Sequence, residues 1–443
     1  MKKDIKLLLK LTIPIFLELI LQVLLGNIDK IMVRNDFVAN AINQANSIID
    51  MLTVSISVLA AGSLILVNQY KGANQPEKEK KIYSIAFYFN LLLSFVIGLS
   101  MLIFAEDIFK LMKVNPESFN DSVIYLRICG GTLFLQAILL TSTTFLRSNT
   151  FVLEGFIVST CINILNVGLN ALFLYIFKLP SITAVALGTV ISRGVGCIIL
   201  IILVLKLAKI KLSFKYAFNS SFKELRKLLK ISIPAAGESF SYSISQIVIL
   251  AIINIIGLRI NYASPIARTY ANIVLPFSFI FTSSISQAMQ ILLGRYLGGK
   301  QTHEAEVLIN KTLLFSIASS LIISISLALS SSIIFRLFTQ DLEVIKLCCY
   351  IMWIEVFLEI GRAVNITLVR ALQTSGDVIF PTLLAIIFCW IVAVIGSYIF
   401  GVTLKMGIVG IWIAMSIDEL ARALIFIIRL KKGKWKTFNL VNN

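Results

Sequence analysis

The sequence predicts an all-α integral membrane protein, with twelve transmembrane helices in two pseudo-symmetric six-helix lobes. Three observations carry this. The 443 residues are 58% apolar and only 14% charged, with a mean hydropathy of +0.91, whereas soluble domains run at roughly 45–50% apolar and about 25% charged. Twelve apolar runs are each long enough for the ~20 residues that a bilayer crossing takes. A short stretch near the start recurs, with its proline and its acid, near the middle of the chain. The composition excludes a soluble enzyme, a disordered chain and a fibrous repeat, and the twelve runs leave no length for a sizeable soluble domain.

In order, the runs lie near residues 11–33, 45–70, 83–104, 123–146, 153–177 and 182–207, then near 231–257, 265–294, 312–335, 346–369, 379–401 and 407–429. An even number of crossings places both ends and alternate loops on one side, and that side should be the basic, cytoplasmic one. Lys2, Lys3, Lys6 and Lys10 open the chain. Lys71, Lys78, Lys80 and Lys81 follow the second run, and Lys431, Lys432, Lys434 and Lys436 follow the last. The richest basic stretch runs from Lys206 to Lys230. The opposite loops are mixed: Glu106, Asp107, Glu117 and Asp121 stand against Lys110 and Lys113, and Asp341 and Glu343 against Arg336 and Lys346. Lys30 and Arg34, near the outer end of the first run, are the exceptions. The first 26 residues resemble a signal peptide in having a basic start and an apolar run. Glu18 interrupts that run and no small-residue cleavage site follows, so it reads as the first span.

The repeat sets the domain organisation. Lys10-Leu-Thr-Ile-Pro14 reappears as Lys230-Ile-Ser-Ile-Pro234, and each proline is followed four residues later by a glutamate, Glu18 and Glu238. Gln69-Tyr-Lys-Gly72 with Gln75 corresponds to Arg295-Tyr-Leu-Gly298 with Gln301, and Thr144-Phe-Leu-Arg147 to Thr367-Leu-Val-Arg370. Two six-span halves entering from the same side form a parallel repeat, an arrangement that places a site between halves. The expected division is a lobe at 1–207, a basic cytoplasmic linker at 208–230 and a second lobe with a short basic tail at 231–443.

Carboxylates inside a bilayer cost at least about 2.5–3.5 kcal/mol each, so they are functional candidates by default. Glu18, Gln22 and Asp29 fall at helical spacings on one face of the first span, after Pro14. Asp29 has no counterpart in the second half and reads as an ion-coupling acid, against the plainer reading of a helix-end carboxylate paired with Lys30 or Arg34. Asn163, Asn166 and Asn170 share a face of the fifth span. Their amides suit either a small cation beside Asp29 or hydrogen bonding between helices. Glu359 and Arg362, three apart, and Asp418, Glu419 and Arg422, at spacings of three and four, read as charge pairs within one helix. Glu355 is left with no obvious local partner. Arg127, Arg193 and Arg268 read as snorkelling cations nearer the span ends.

Other chemistry is poorly represented. The net charge of +17 lies in loops between apolar runs, which topology explains better than nucleic-acid binding does. Cys129, Cys161, Cys197, Cys348, Cys349 and Cys389 all fall in apolar runs without zinc-site spacing, and read as free packing residues. Gly294, Gly299 and Lys300 match a phosphate-loop pattern, but Gln301 stands where Ser or Thr must bind magnesium and a membrane span precedes it. His303, in the same loop, belongs to no catalytic constellation.

With these pieces in order, the chain resembles the multidrug and toxic compound extrusion (MATE) family over essentially its whole length. The matching pieces are Ile13-Pro14 leading to Gly26-Asn-Ile-Asp29-Lys-Ile-Met-Val33, the Gly72 and Gly298 loops, and Gly188-Thr189-Val-Ile-Ser192. Gly361-Arg362-Ala-Val-Asn365, Ser375-Gly-Asp377 and Gly410-Ile-Trp412-Ile-Ala414 with Asp418-Glu419 are similar to one prokaryotic branch. The resemblance implies two lobes around a V-shaped cavity, and efflux of small organic compounds, cationic or lipophilic, driven by entry of Na+ or H+. It implies ion coupling at Asp29, Asn166, Asn170 and Thr189, with Asn170 standing where many members have an aspartate. It implies a substrate cavity lined by Glu18, Gln22, Glu238, Glu355, Glu359 and Arg362. No catalytic residue, resident metal or cofactor is expected beyond the coupling ion. The expected partners are the small-molecule substrate and the bilayer, with no nucleic acid, for a monomer in the cell membrane with both termini cytoplasmic. The rival is a lipid-linked oligosaccharide or other lipid flippase of the same superfamily. A major facilitator carrier lacks support, because its G-x-x-x-D-R loop is missing after the second span.

Overall fold

A computed structural model describes residues 2–25, 32–33, 35–112, 114–218, 222–438 and 440–441. Among the described residues every regular element is a helix. The first half comprises α1 (Lys2–Leu25), α2 (Asp36–Gly72), α3 (Pro76–Leu111), α4 (Pro116–Tyr125), α5 (Leu133–Ser148), α6 (Val152–Ala171) and α7 (Ser181–Lys206). The short α8 (Phe214–Phe218) lies in the basic stretch. The second half comprises α9 (Phe222–Arg259), α10 (Ala263–Val274), α11 (Pro276–Gly298), α12 (Thr302–Arg336), α13 (Leu342–Ser375), α14 (Ile379–Phe388) and α15 (Gly407–Lys431).

Nine helical segments of the described residues are long and apolar enough to cross a bilayer, and a tenth is the pair Pro116–Gly130 and Leu133–Ser148, bent by 45°. The other two membrane-length helices are α13 and α15. Each carries three ionisable residues in its middle: Glu355, Glu359 and Arg362, and Asp418, Glu419 and Arg422. Charge, not length, sets these two helices apart.

The helices outrun the apolar runs. The structure starts α9 at Phe222 and α12 at Thr302, where hydropathy alone gives 231 and 312, so residues 222–230 of the expected linker are already helical. Outside the hydrocarbon these ends need no apolar side chains, and Glu, Lys and Leu are good helix formers. Local chemistry fixes the starts. The Asn35 side chain accepts from the amides of Phe37 and Val38 at the head of α2, and Asp341 from those of Glu343 and Val344 at the head of α13. Pro76 and Pro116 occupy first-turn positions, where a missing N–H costs nothing. Pro276 separates α10 from α11, within what hydropathy reads as one span.

The chain divides into two compact units, residues 17–233 and residues 234–443 together with 1–16. In the first, α2 packs on α3, α4 and α5, and α7 on α5 and α6. Ile42, Ile49, Phe109, Leu126 and Val185 lie in its core. In the second, α13 is the hub, packing on α10, α11, α12 and α15 around Ile253, Phe335, Ile351, Leu358 and Trp412.

Inside a bilayer lipid is as apolar as leucine, so close approach of small residues and hydrogen bonds hold helices together. Both devices are present. A Cβ at Gly361 would fall 2.6 Å from the backbone carbon of Glu419, so only glycine lets α13 and α15 meet at that level. A Cβ at Gly188 would fall 2.0 Å from Asn170 Oδ1. Along α12, Thr312, Ser316, Ser320 and Ser324 repeat every four residues and are all buried, a row of hydroxyls on the inner face.

Candidate functional site

The second unit contains a buried ionic network built on α9, α13 and α15. Arg362 Nη1 lies 2.6 Å from Glu355 Oε1 and also pairs with Glu359 Oε1. Glu355, with no partner evident from local spacing, is therefore paired, because residues seven apart lie two turns along the same helical face. Its second oxygen accepts from Trp412 Nε1 of α15 at 2.9 Å. Glu359 also accepts from Ser278 Oγ at 2.9 Å and Ser320 Oγ at 2.7 Å. The Arg362 guanidinium lies 5.2 Å from the Phe279 ring centre.

On α15, Arg422 reaches Asp418 at 2.6 Å and Glu419 at 2.9 Å. Asn365 Nδ2 of α13 joins the two groups by donating to Glu419 Oε2 at 2.5 Å and to the Glu419 carbonyl at 2.8 Å. Among the described residues Glu238 on α9 accepts hydrogen bonds from neutral donors, Thr382 Oγ1 at 3.2 Å and Gln373 Nε2 at 3.5 Å. Among the described residues these five carboxylates pair with two guanidinium groups, a surplus of three negative charges when all are ionised. Glu355 and Glu359 are fully buried. An arrangement so far from neutrality in low dielectric calls for protons or cations.

The first unit differs. Glu18, the repeat counterpart of Glu238, is charge-paired: its Oε2 lies 2.6 Å from Arg147 Nη2. Gln22, one turn on, is exposed. Asp29, with its neighbour Lys30 and with Arg34, lies outside the described residues. The structure brings together Asn166 and Thr189, with Nδ2 to Oγ1 at 3.3 Å, and Asn170 and Asn166, with Nδ2 to Oδ1 at 3.5 Å. A polar stripe thus runs between α6 and α7.

Two sequence expectations need correction. Arg193 is no span-end residue; it is the middle of α7, twelve residues past Ser181 in a 26-residue helix. Arg268, five residues into the span Ala263–Gly298, does lie near a span end, its Nη2 3.4 Å from Gln246 Oε1. Cys161 is exposed where packing was expected, although all six cysteines are free. Sequence reasoning also missed Ser278, Ser320, Trp412 and Asn365 as partners of the buried acids. The four-residue hydroxyl period on α12 was the available signal for Ser320. The others are brought in by tertiary packing alone.

The MatE family model matches residues 14–172 and 234–399. An uncharacterized transporter, YisQ of Bacillus subtilis, is 30% identical over 97% of this chain and 94% of its own length. The probable multidrug resistance protein NorM of Thermotoga maritima is 23% identical over 97% and 92%. A solved outward-facing conformation of a multidrug resistance MATE transporter of the MOP superfamily superposes with a TM-score of 0.89 at 17% identity, covering 98% of this chain and 96% of that one. The fold, the family model and the relatives agree: this chain is a multi-pass membrane transporter, not an enzyme, and it belongs to the MatE family.

Proposed function

We propose that the protein is a secondary antiporter that exports small organic compounds, cationic or lipophilic, in exchange for Na+ or H+. The observation that carries this is the surplus of carboxylates on α9, α13 and α15, five against two arginines. Neutralising a buried carboxylate is worth several kcal/mol, enough to bias two helix packings. A coupling ion and a cationic substrate that compete for such carboxylates would leave and enter by turns. Glu238, Glu355 and Glu359, with Arg362 as their counter-charge, would contact substrate in the second unit, and Glu18 and Gln22 in the first. Asp29 would be a further coupling carboxylate beside Asn166, Asn170 and Thr189.

The basic loops support a cell-membrane location with both termini cytoplasmic. A monomer with no nucleic-acid partner fits a chain whose internal repeat already supplies both halves. NorM relatives carry multidrug resistance names, which supports organic compounds over lipid-linked sugars as cargo.

The test is ethidium efflux from proteoliposomes under an imposed Na+ gradient or an imposed proton gradient. Efflux that follows one gradient, and stops when an ionophore collapses it, is the expected result. Efflux indifferent to the collapse of both would overturn ion coupling, and no ethidium transport alongside lipid translocation would favour the flippase. Asp29→Asn and Glu359→Gln in the same assay report which acid couples.

A further inference from the structure

Arg193 occupies a place that a snorkelling cation cannot. Twelve residues from the start of α7 is about 18 Å at 1.5 Å per residue, farther than an arginine side chain reaches. At 100° per residue it also points away from lipid. Ile191, Val195, Ile198 and Ile202 form the exposed face of α7, with Ile198 62% exposed. Arg193 lies on the opposite face with the buried Ala186, Thr189, Cys197, Leu200 and Val204. That face packs on α5 and α6: Cys197 Sγ lies 3.2 Å from the Leu135 carbonyl, and the Gly196 Cβ position touches Ile162 and Leu139.

Arg193 makes no ion pair with a described residue, and its Nη1 is buried without a hydrogen-bond partner. Of the acids in the same unit, Glu18 is bound to Arg147 and Glu106 to Arg127. One turn before Arg193 stands Thr189, hydrogen-bonded to Asn166 of α6, so among the described residues a neutral hydroxyl and a neutral amide stand beside it. A guanidinium at mid-membrane depth with no counter-charge among the described residues is costly, and intramembrane charges of this kind mark substrate pathways. Its planar fork of donors matches carboxylate, sulfonate or phosphate oxygens.

We infer that Arg193 is an anion-recognising residue, which holds a carboxylate, sulfonate or phosphate group borne by the transported amphiphile, with Thr189 and Asn166 as neutral donors beside it. This deepens the export reading by naming part of the substrate, and it rests on that reading only in calling the ligand cargo. Binding is measured without any gradient, so failure of ion coupling would leave it standing.

The experiment is fluorescence anisotropy of two xanthene dyes with the full-length protein in phosphatidylcholine nanodiscs. Sulforhodamine B carries sulfonates; rhodamine 6G carries no anionic group. Sulforhodamine B should bind the wild type and lose affinity about tenfold or more in Arg193→Gln, the scale of a lost charge-assisted pair. Arg193→Lys should retain an intermediate affinity, and rhodamine 6G should be unaffected by either change. Three results would overturn the assignment: no sulforhodamine B binding to the wild type, equal binding to Arg193→Gln, or equal loss of both dyes. Displacement of the dye by added phosphatidylglycerol would assign Arg193 to a lipid headgroup and overturn the substrate role, whereas indifference to that lipid supports it.

Discussion

Glu355 and Glu359, one turn apart on α13, take their ion pairs from a single nitrogen, Nη1 of Arg362. Both carboxylates are fully buried, so Arg362 is the sole charge compensating either one within the helix. Removing one partner of a buried pair costs about 3–5 kcal/mol, because the remaining charge is stranded. Arg362→Gln should therefore lower the thermal midpoint of the detergent-solubilised protein sharply. Adding Glu355→Gln to that variant should recover a large part of the loss, since one stranded charge is removed. A double variant no more stable than Arg362→Gln would show that the two acids are not coupled through the guanidinium.

Close approach of α13 and α15 is what brings Asn365 to Glu419 and Trp412 to Glu355. Gly361→Ala would place a methyl 2.6 Å from the Glu419 carbon and 2.7 Å from the Leu420 nitrogen, backbone atoms that cannot swing aside. The two helices must separate, at about 1–3 kcal/mol for overpacking. Gly237→Ala serves as the control, because nothing lies within 4 Å of its Cβ position and alanine is the better helix former there. Melting of the two variants should move in opposite directions. If Gly361→Ala melts with the wild type, the contact is not limiting.

The architecture was legible because it rests on apolar length and on a repeat. Pro14 with Glu18 and Pro234 with Glu238 mark corresponding helices, and the helix beginning at each Lys-rich entry was readable from hydropathy. Partner choice was not legible. Spacing along one helix pairs Glu359 with Arg362 and Asp418 with Arg422, but Trp412, Ser278 and Ser320 reach the acids of α13 from other helices, and no local pattern encodes that. Arg193 shows the same limit. Its depth follows from the bounds of α7, while its facing and its lack of a counter-charge among the described residues emerge only from the packed bundle. The repeat itself misleads at Glu18 and Glu238, which correspond in sequence and yet are held by an arginine in one unit and by neutral donors in the other.

The Glu18–Arg147 contact spans α1 and α5, and both side chains are largely buried. Glu18→Gln and Arg147→Met should each destabilise the protein, and the double variant should lose less than the sum of the two, by about 0.5–3 kcal/mol of coupling. Parallel melting curves of the four proteins in one detergent give the cycle. Additive losses would mean that Arg147 is held chiefly by its other contacts and that Glu18 contributes little through the pair.

Outside the membrane, the loop before α13 carries a pH-sensitive cap. The Asp341 carboxylate accepts from Tyr262 Oη at 2.9 Å and from the amides of Glu343 at 2.9 Å and Val344 at 3.4 Å. These bonds, the tyrosine's first, hold its pKa below the usual carboxylate value, while the Tyr262 hydroxyl is pushed up by the same contact. A carboxyl whose folded pKa is depressed stabilises the cap fully above its unfolded value, near 3.9, and that contribution is lost as pH falls through the folded value. Amide exchange at Glu343 and Val344 should thus remain protected at pH 5 and become faster than the intrinsic acid-side rate predicts as the pH drops below 4. Tyr262→Phe removes the largest cause of the depression, so the loss should begin at higher pH, while Asp341→Asn should flatten the pH dependence across that range. Identical exchange profiles for the wild type and Tyr262→Phe would mean that the backbone amides alone set the acid strength of Asp341.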